Sequence, residues 1–139
     1  MKAGFELFDH TADVGVRAFA PSLSELVRVA GEGLYSVIGE LRPQGEPRPE
    51  RFEFTDGDLS TLLHDHLSEL LLIFERDHRM VTDLTVETFE PGCLRASGQS
   101  YTVDRDASLL DREVKAVTYH GLEINRIDDG YETRYIVDI

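Results

Sequence analysis

The sequence predicts one α+β domain over residues 1–139, built from mainly antiparallel β-hairpins packed with two core helices. Three observations carry that expectation. Short runs alternate apolar with polar residues between turn signals, as in Phe5 and Leu7 before Asp9, and Val14, Val16 and Ala18 after it. Two longer stretches, from Leu23 and from Leu59, repeat apolar residues at helical spacing. The length is enough to bury a core without staples, and there are no internal repeats or low-complexity tracts to divide the chain.

Taken in order, the first two strands reverse at Asp9-His10-Thr11-Ala12-Asp13-Val14-Gly15. Ser22-Leu23-Ser24-Glu25 is a capping box that opens a helix. Leu23, Leu26, Val27, Ala30, Leu34, Val37 and Ile38 mark one face at helical spacing, and Gly39 stops it. Gly31, Gly33 and Gly39 make no dinucleotide fingerprint, because Ser36 stands where the third glycine belongs. Leu41 to Glu50, with Pro43, Pro47 and Pro49 among charges, reads as a surface connection, and Arg51 to Thr55 as a strand. Asp56-Gly57-Asp58 then turns into an N-cap. The helix from Asp58 to about His78 presents Leu59, Leu62, Leu63, Leu67, Leu70, Leu71 and Phe74. Its His64 and His66 are two residues apart, hence about 200° apart around the axis, and cannot chelate one metal together. Met80 to Phe89 and Cys93 to Tyr101 form a hairpin about Glu90-Pro91-Gly92. Thr102 to Arg112 reads as an acidic loop, and Glu113 to His120 fits either a strand or a helical turn leading into Gly121 to Ile127. Asp128-Asp129-Gly130 turns the chain into a last strand, Tyr131 to Ile139, for two helices and about seven strands in all.

The net charge of −13 argues against binding RNA or DNA unaided, since phosphate backbones are gripped by clustered Lys and Arg. Lys2 and Lys115 are the only lysines, and the arginines are scattered. Such a surface suits cations or a basic protein partner. No apolar run approaches the ~18 residues of a membrane span. The N-terminal residues lack signal-peptide features, and the lone Cys93 cannot form an internal disulfide, so cytoplasmic residence is expected.

Asp9, His10 and Asp13 crowd one reversal, and the chain closes on Asp138-Ile139, where a side-chain and a main-chain carboxylate would lie together. An Asx-type hairpin corner explains the first group without a ligand. A divalent cation such as calcium or magnesium, held by Asp13, Asp138 and the Ile139 carboxylate if the fold joins them, explains both; Asp9 and His10 are the nearest alternative third ligands. No phosphate loop, nucleophile elbow, paired-cysteine site or zinc-protease helix is present in the sequence. Three carboxylates activating water would make a metal-dependent hydrolase, the less favoured reading.

Asp9 to Gly15, Glu113-Val114-Lys115-Ala116-Val117-Thr118-Tyr119-His120, and Val137-Asp138-Ile139 together resemble the archease family, and the resemblance runs through both helices. It implies a small non-enzymatic accessory protein that activates the GTP-dependent RNA-splicing ligase, promoting guanylylation and turnover in tRNA splicing or RNA repair. It also implies an alternative role as chaperone of a tRNA-modifying methyltransferase. Carried over residue by residue, it sets the metal ligands at Asp13, Asp138 and Ile139, with calcium the expected ion. Asp9, His10, Lys115 and His120 are then supporting or partner-facing. Lys115 either pairs with Glu113 or Asp111 or faces a partner. The pattern is broken where Gln99 follows Gly98 and where Ser108 replaces a histidine.

Overall fold

The computed structural model describes residues 1–139. Its elements run β1 (Gly4–His10), β2 (Asp13–Ala20), α1 (Leu23–Ile38), β3 (Gly39–Glu40), β4 (Pro43–Thr55), α2 (Leu59–Asp77), β5 (Arg79–Glu90), β6 (Cys93–Val103), β7 (Leu109–Leu110), β8 (Ala116–Val117), β9 (Glu123–Ile127) and β10 (Gly130–Asp138). All strand pairs are antiparallel. One sheet has the order β1-β2-β10-β8, with β9 lying beside the first half of β10 and β8 beside its last two residues. A second sheet has the order β4-β6-β5, and β3 pairs with β7. The α+β expectation holds.

Helix α1 packs on β1, β2 and β10 and also touches β5; α2 covers β4, β5 and β6 and reaches β8 and β9. Alternation on β2 buries Val14, Val16, Ala18 and Ala20 beneath α1. The approach is close enough that a Cβ on Gly33 would sit 2.6 Å from a Val16 methyl, so glycine is required in mid-helix. Two buried tyrosines fasten α1 to its neighbours. Tyr135 donates its hydroxyl to the Ala30 carbonyl at 2.7 Å, and Tyr35 accepts the Val81 N–H at 2.8 Å. Both helix starts follow the sequence: Ser22 accepts the Glu25 N–H and Asp58 the Thr61 N–H. The end of α2 also falls where expected, at His78, which caps it in the left-handed region usually taken by Gly or Asn.

His66 is the exception within this core. Fully buried, it meets Phe52 and Phe54 edge-on at centroid distances of 5.0 and 6.3 Å, and neither ring nitrogen has a hydrogen-bond partner in the protein. An orphan of this kind costs about 1–3 kcal/mol. Burial pushes its pKa down to about 4, so the ring is neutral at pH 7.

Two expectations are corrected and one open alternative is settled. Leu41 to Glu50 is not a connection, since β4 already begins at Pro43. As an edge strand it tolerates prolines on its unpaired side, and its bulge between Gln44 and Arg48 absorbs Gly45 to Pro47. Thr102 to Arg112 is not wholly loop, for Leu109–Leu110 pairs with Gly39–Glu40. Glu113 to His120 settles as a strand of only two residues, Ala116–Val117, which with β3 and β7 raises the count to ten. No helix is long and apolar enough to cross a membrane.

Candidate functional site

The register of the larger sheet brings the β1–β2 turn beside the last residues of β10. Asp9 opposes Val14, Val14 opposes Val137, and Val137 opposes Val117. Val14, Val137 and Val117 are buried, so this row faces the core. One residue further, His10 opposes Asp13 and Asp138 opposes Ala116, and carrying the β2–β10 register one step past its last pair, Val14 with Val137, sets Asp13 against Asp138. Because side chains alternate along a strand, that second row turns to the other face, toward solvent. Asp13 and Asp138 are therefore cross-strand neighbours of like charge. His10 Nδ1 stands 3.8 Å from Asp13 Oδ2. The β1–β2 reversal that aims these side chains is a two-residue loop, Thr11-Ala12, with Ala12 at φ 61°.

The remaining sequence candidates divide around this row. Asp9 lies on the Val14 row and projects from the opposite face, which separates it from Asp13. Ile139 packs its side chain against the core, leaving its main-chain oxygens at the strand end beside Asp138. Lys115 gives its backbone N–H to the Asp138 carbonyl at 2.7 Å, and its exposed ammonium has no carboxylate within 4.0 Å. The expected pairing with Glu113 or Asp111 is thus not formed, Asp111 binding Arg112 instead at 3.3 Å. His120 is exposed in the turn after β8, apart from the row. No three His, Cys, Asp or Glu side chains converge as a metal cage. Two carboxylates and nearby main-chain oxygens fit the hard-oxygen chemistry of calcium or magnesium, with most coordination positions left to water or a partner.

A clasp that the sequence does not announce holds the Lys115 segment in place. Tyr119 stacks on His64 of α2 with ring centroids 3.5 Å apart and donates its hydroxyl to Asp65 at 2.9 Å, which raises the phenol pKa. His64 Nε2 reaches the Val117 carbonyl at 2.7 Å. Ser68 Oγ also lies 3.5 Å from this nitrogen, and Asp65 Oδ1 3.5 Å from Nδ1, an order reminiscent of a hydrolytic triad. The resemblance ends at the proton. Facing a carbonyl, Nε2 must carry hydrogen, so it has no lone pair with which to deprotonate Ser68. Ser108, where the family resemblance expects histidine, is buried and accepts the Arg42 N–H at 2.8 Å, a structural anchor.

Fold and site together define a class: a small acidic α+β domain displaying a carboxylate pair at one end of its main sheet. The model of the Archease protein family (MTH1598/TM1083) matches residues 5–139. Protein archease of Thermococcus gammatolerans is 33% identical, over 97% of this chain and 98% of its own length. That of Methanopyrus kandleri is 31% identical, over 97% and 99%. Among solved structures, protein 1598 of Methanobacterium thermoautotrophicum superposes with a TM-score of 0.75 at 28% identity, covering 98% of this chain and 99% of that one. A Thermotoga maritima archease, described as a possible chaperone, has the same fold with a TM-score of 0.73 at 19% identity over 96% of each chain. The chain belongs to the archease family.

Proposed function

We propose that this protein is a cytoplasmic, non-enzymatic accessory protein that activates the GTP-dependent RNA-splicing ligase, and that it does so through a divalent cation, calcium foremost, held at Asp13, Asp138 and the main-chain oxygens of Ile139. The observation that carries this reading is the Val14–Val137 pair of adjacent strands, whose register carried one residue on sets Asp13 beside Asp138 at the sheet end. Like charges on adjacent strands repel unless a cation or solvent screens them. When bound, the ion supplies positive charge and open coordination sites at the tip of an otherwise anionic domain. The protein's own part is positional. The sheet register fixes the two carboxylates, Ile139 anchors the chain end through its side chain, and the clasp at Tyr119 holds Lys115 alongside. Lys115, which has no carboxylate partner, is free to meet a partner's acidic groups or the substrate bound there, while His10 stays beside Asp13. The acidic surface makes an RNA contact through the ligase more economical than direct RNA binding.

Ligase guanylylation and multiple turnover, measured at limiting divalent ion with and without this protein, test the reading. Stimulation that disappears in Asp13→Ala and Asp138→Ala supports it, and no stimulation by the wild type removes it. A second reading is a chaperone of a tRNA-modifying methyltransferase or of other clients. It is favoured by the exposed Leu109 and Leu110 and by the description of the Thermotoga relative. It predicts suppression of client aggregation that survives loss of Asp13 and Asp138.

A further inference from the structure

We propose that the free edge of β1 takes up an extended segment of a partner protein as one more antiparallel strand, and that the segment it fits is basic on one face and apolar on the other. The hairpin fixes which backbone groups are free. Across its two-residue loop, His10 and Asp13 close the ladder as a hydrogen-bonded pair, so Gly4, Glu6, Phe8 and His10 bond to β2, whereas the N–H and C=O groups of Phe5, Leu7 and Asp9 point away from it. No strand lies on that side, and none of the backbone hydrogen bonds outside the ladders reaches them. The other edges are blunted. Strand β4 carries Pro43, Pro47 and Pro49 and a bulge between Gln44 and Arg48. Strand β5 breaks register against β6 between Thr82 and Thr85 and again between Val86 and Thr88, holds Asp83 at φ 54°, and gives its Val81 N–H to Tyr35. Strand β9 is only five residues long. Strand β1 has seven residues, no proline and no bulge, and a regular row of unpaired groups is a template for another chain.

The segment's chemistry follows from the two faces of this edge. On the face toward α1 the strand shows Phe5, Leu7 and Asp9, in the rows of Ala18, Val16 and Val14. Leu7 is 38% exposed there although its row partner Val16 is wholly buried. An apolar, β-branched side chain opposite Leu7 covers it. The outer face shows Glu6, Phe8 and His10, on a surface where Glu6, Asp13, Glu132 and Asp138 outnumber Arg17 and Arg134. Lysine or arginine on that side of the segment meets the excess. The same charge, −13 on each chain, disfavours a second copy as the occupant.

The probe is an acetylated and amidated peptide of four lysines alternating with three valines, titrated into the full-length protein without divalent ions. NMR follows the backbone amides of β1, and saturable shifts centred on Phe5, Leu7 and Asp9 are expected. In an antiparallel pair the valine opposite Leu7 turns its N–H to the edge, and the neighbouring lysines turn theirs away. N-methylation of the valines should therefore weaken binding about tenfold or more, while N-methylation of the lysines, at the same charge, should leave it within about twofold. Leu7→Pro removes an outward N–H without touching the β1–β2 ladder, and should weaken the peptide about tenfold with little change in melting temperature. Absence of saturable shifts overturns the proposal. So do equal affinities of the two methylated peptides, which would leave charge attraction alone. A dimer of the protein by itself that Leu7→Pro dissociates, with no peptide bound, would assign the edge to a second copy and overturn it as well. If Leu7→Pro does not fold, the two methylated peptides decide the matter on the wild type.

Discussion

A histidine buried without a partner makes folding proton-dependent at the level of a single residue. His66 titrates at about 4 when folded, against about 6.5 in an unfolded chain, because the ring is desolvated. Between those values the unfolded state binds the extra proton. Its contribution to stability is therefore complete above pH 6.5, falls as pH drops, and is exhausted near pH 4, a total of about 3 kcal/mol as an upper bound. Urea unfolding at pH 7 and pH 4.5 should show this loss in the wild type and a smaller loss in His66→Leu. Equal losses would mean that other groups govern the acid limb. Ala12 gives a second residue-scale expectation. A Cβ residue in the left-handed region is strained by about 1–2 kcal/mol. Ala12→Gly should accordingly raise stability by about 1 kcal/mol, after the added chain entropy, without moving Asp13. A thermal melt measures the gain, and a lower midpoint would show that the tip is not strained.

At the scale of elements, β8 depends on α2 more than on its own two-residue ladder. Lys115 and Thr118 donate their backbone N–H groups to Asp138 and Ile136 of β10, while Tyr119 and His64 press the segment down from outside. Stacked rings contribute about 0.5–1.5 kcal/mol beyond their burial. Tyr119→Ala should therefore speed hydrogen exchange at Lys115 and Thr118 with little change in α1 or β2. Tyr119→Phe, which keeps the stack and loses the Asp65 hydrogen bond, should fall between. Exchange confined to neither amide would show the clasp to be dispensable. The same segment shows where sequence reasoning stops. Val114 and Val117 are buried three residues apart, a spacing that mimics a helical turn, and so Glu113 to His120 reads two ways. Helices and hairpins were legible because their signals are local: Ser22, Asp58 and the turn glycines act within a few residues. Strand β4 was half legible, since an exposed edge strand with prolines has the composition of a loop. His64 could not be read at all. Its partners, the Val117 carbonyl and the Tyr119 ring, are supplied by a distant segment that no local pattern pairs with α2.

Across the whole molecule, the meeting of Asp13 with Asp138 is a consequence of topology. Sequence supplied two acidic strand ends, and only the central position of β2 and β10, side by side, makes them neighbours. That pair sits on a chain of net charge −13, so two electrostatic effects must be separated. Any salt relieves the self-repulsion of the folded chain, because at 0.1 M charges more than about 10 Å apart are largely screened. Thermal stability should rise with sodium chloride and then level off. If Asp13 and Asp138 hold a cation, millimolar calcium added at that plateau should raise stability again, by about 2.7 kcal/mol at a hundred times the dissociation constant. Asp13→Asn and Asp138→Asn keep side-chain size and remove one charge each. Both should match or exceed the wild type in the absence of divalent ions, because a repulsion is gone, and both should lose the calcium increment while keeping the response to sodium chloride. The same increment should weaken when residues are appended after Ile139, since its carboxylate becomes a peptide carbonyl, and should persist when they are added before Met1. A calcium response that survives in both Asn variants would make it a diffuse property of the acidic surface and leave the carboxylate row without a metal.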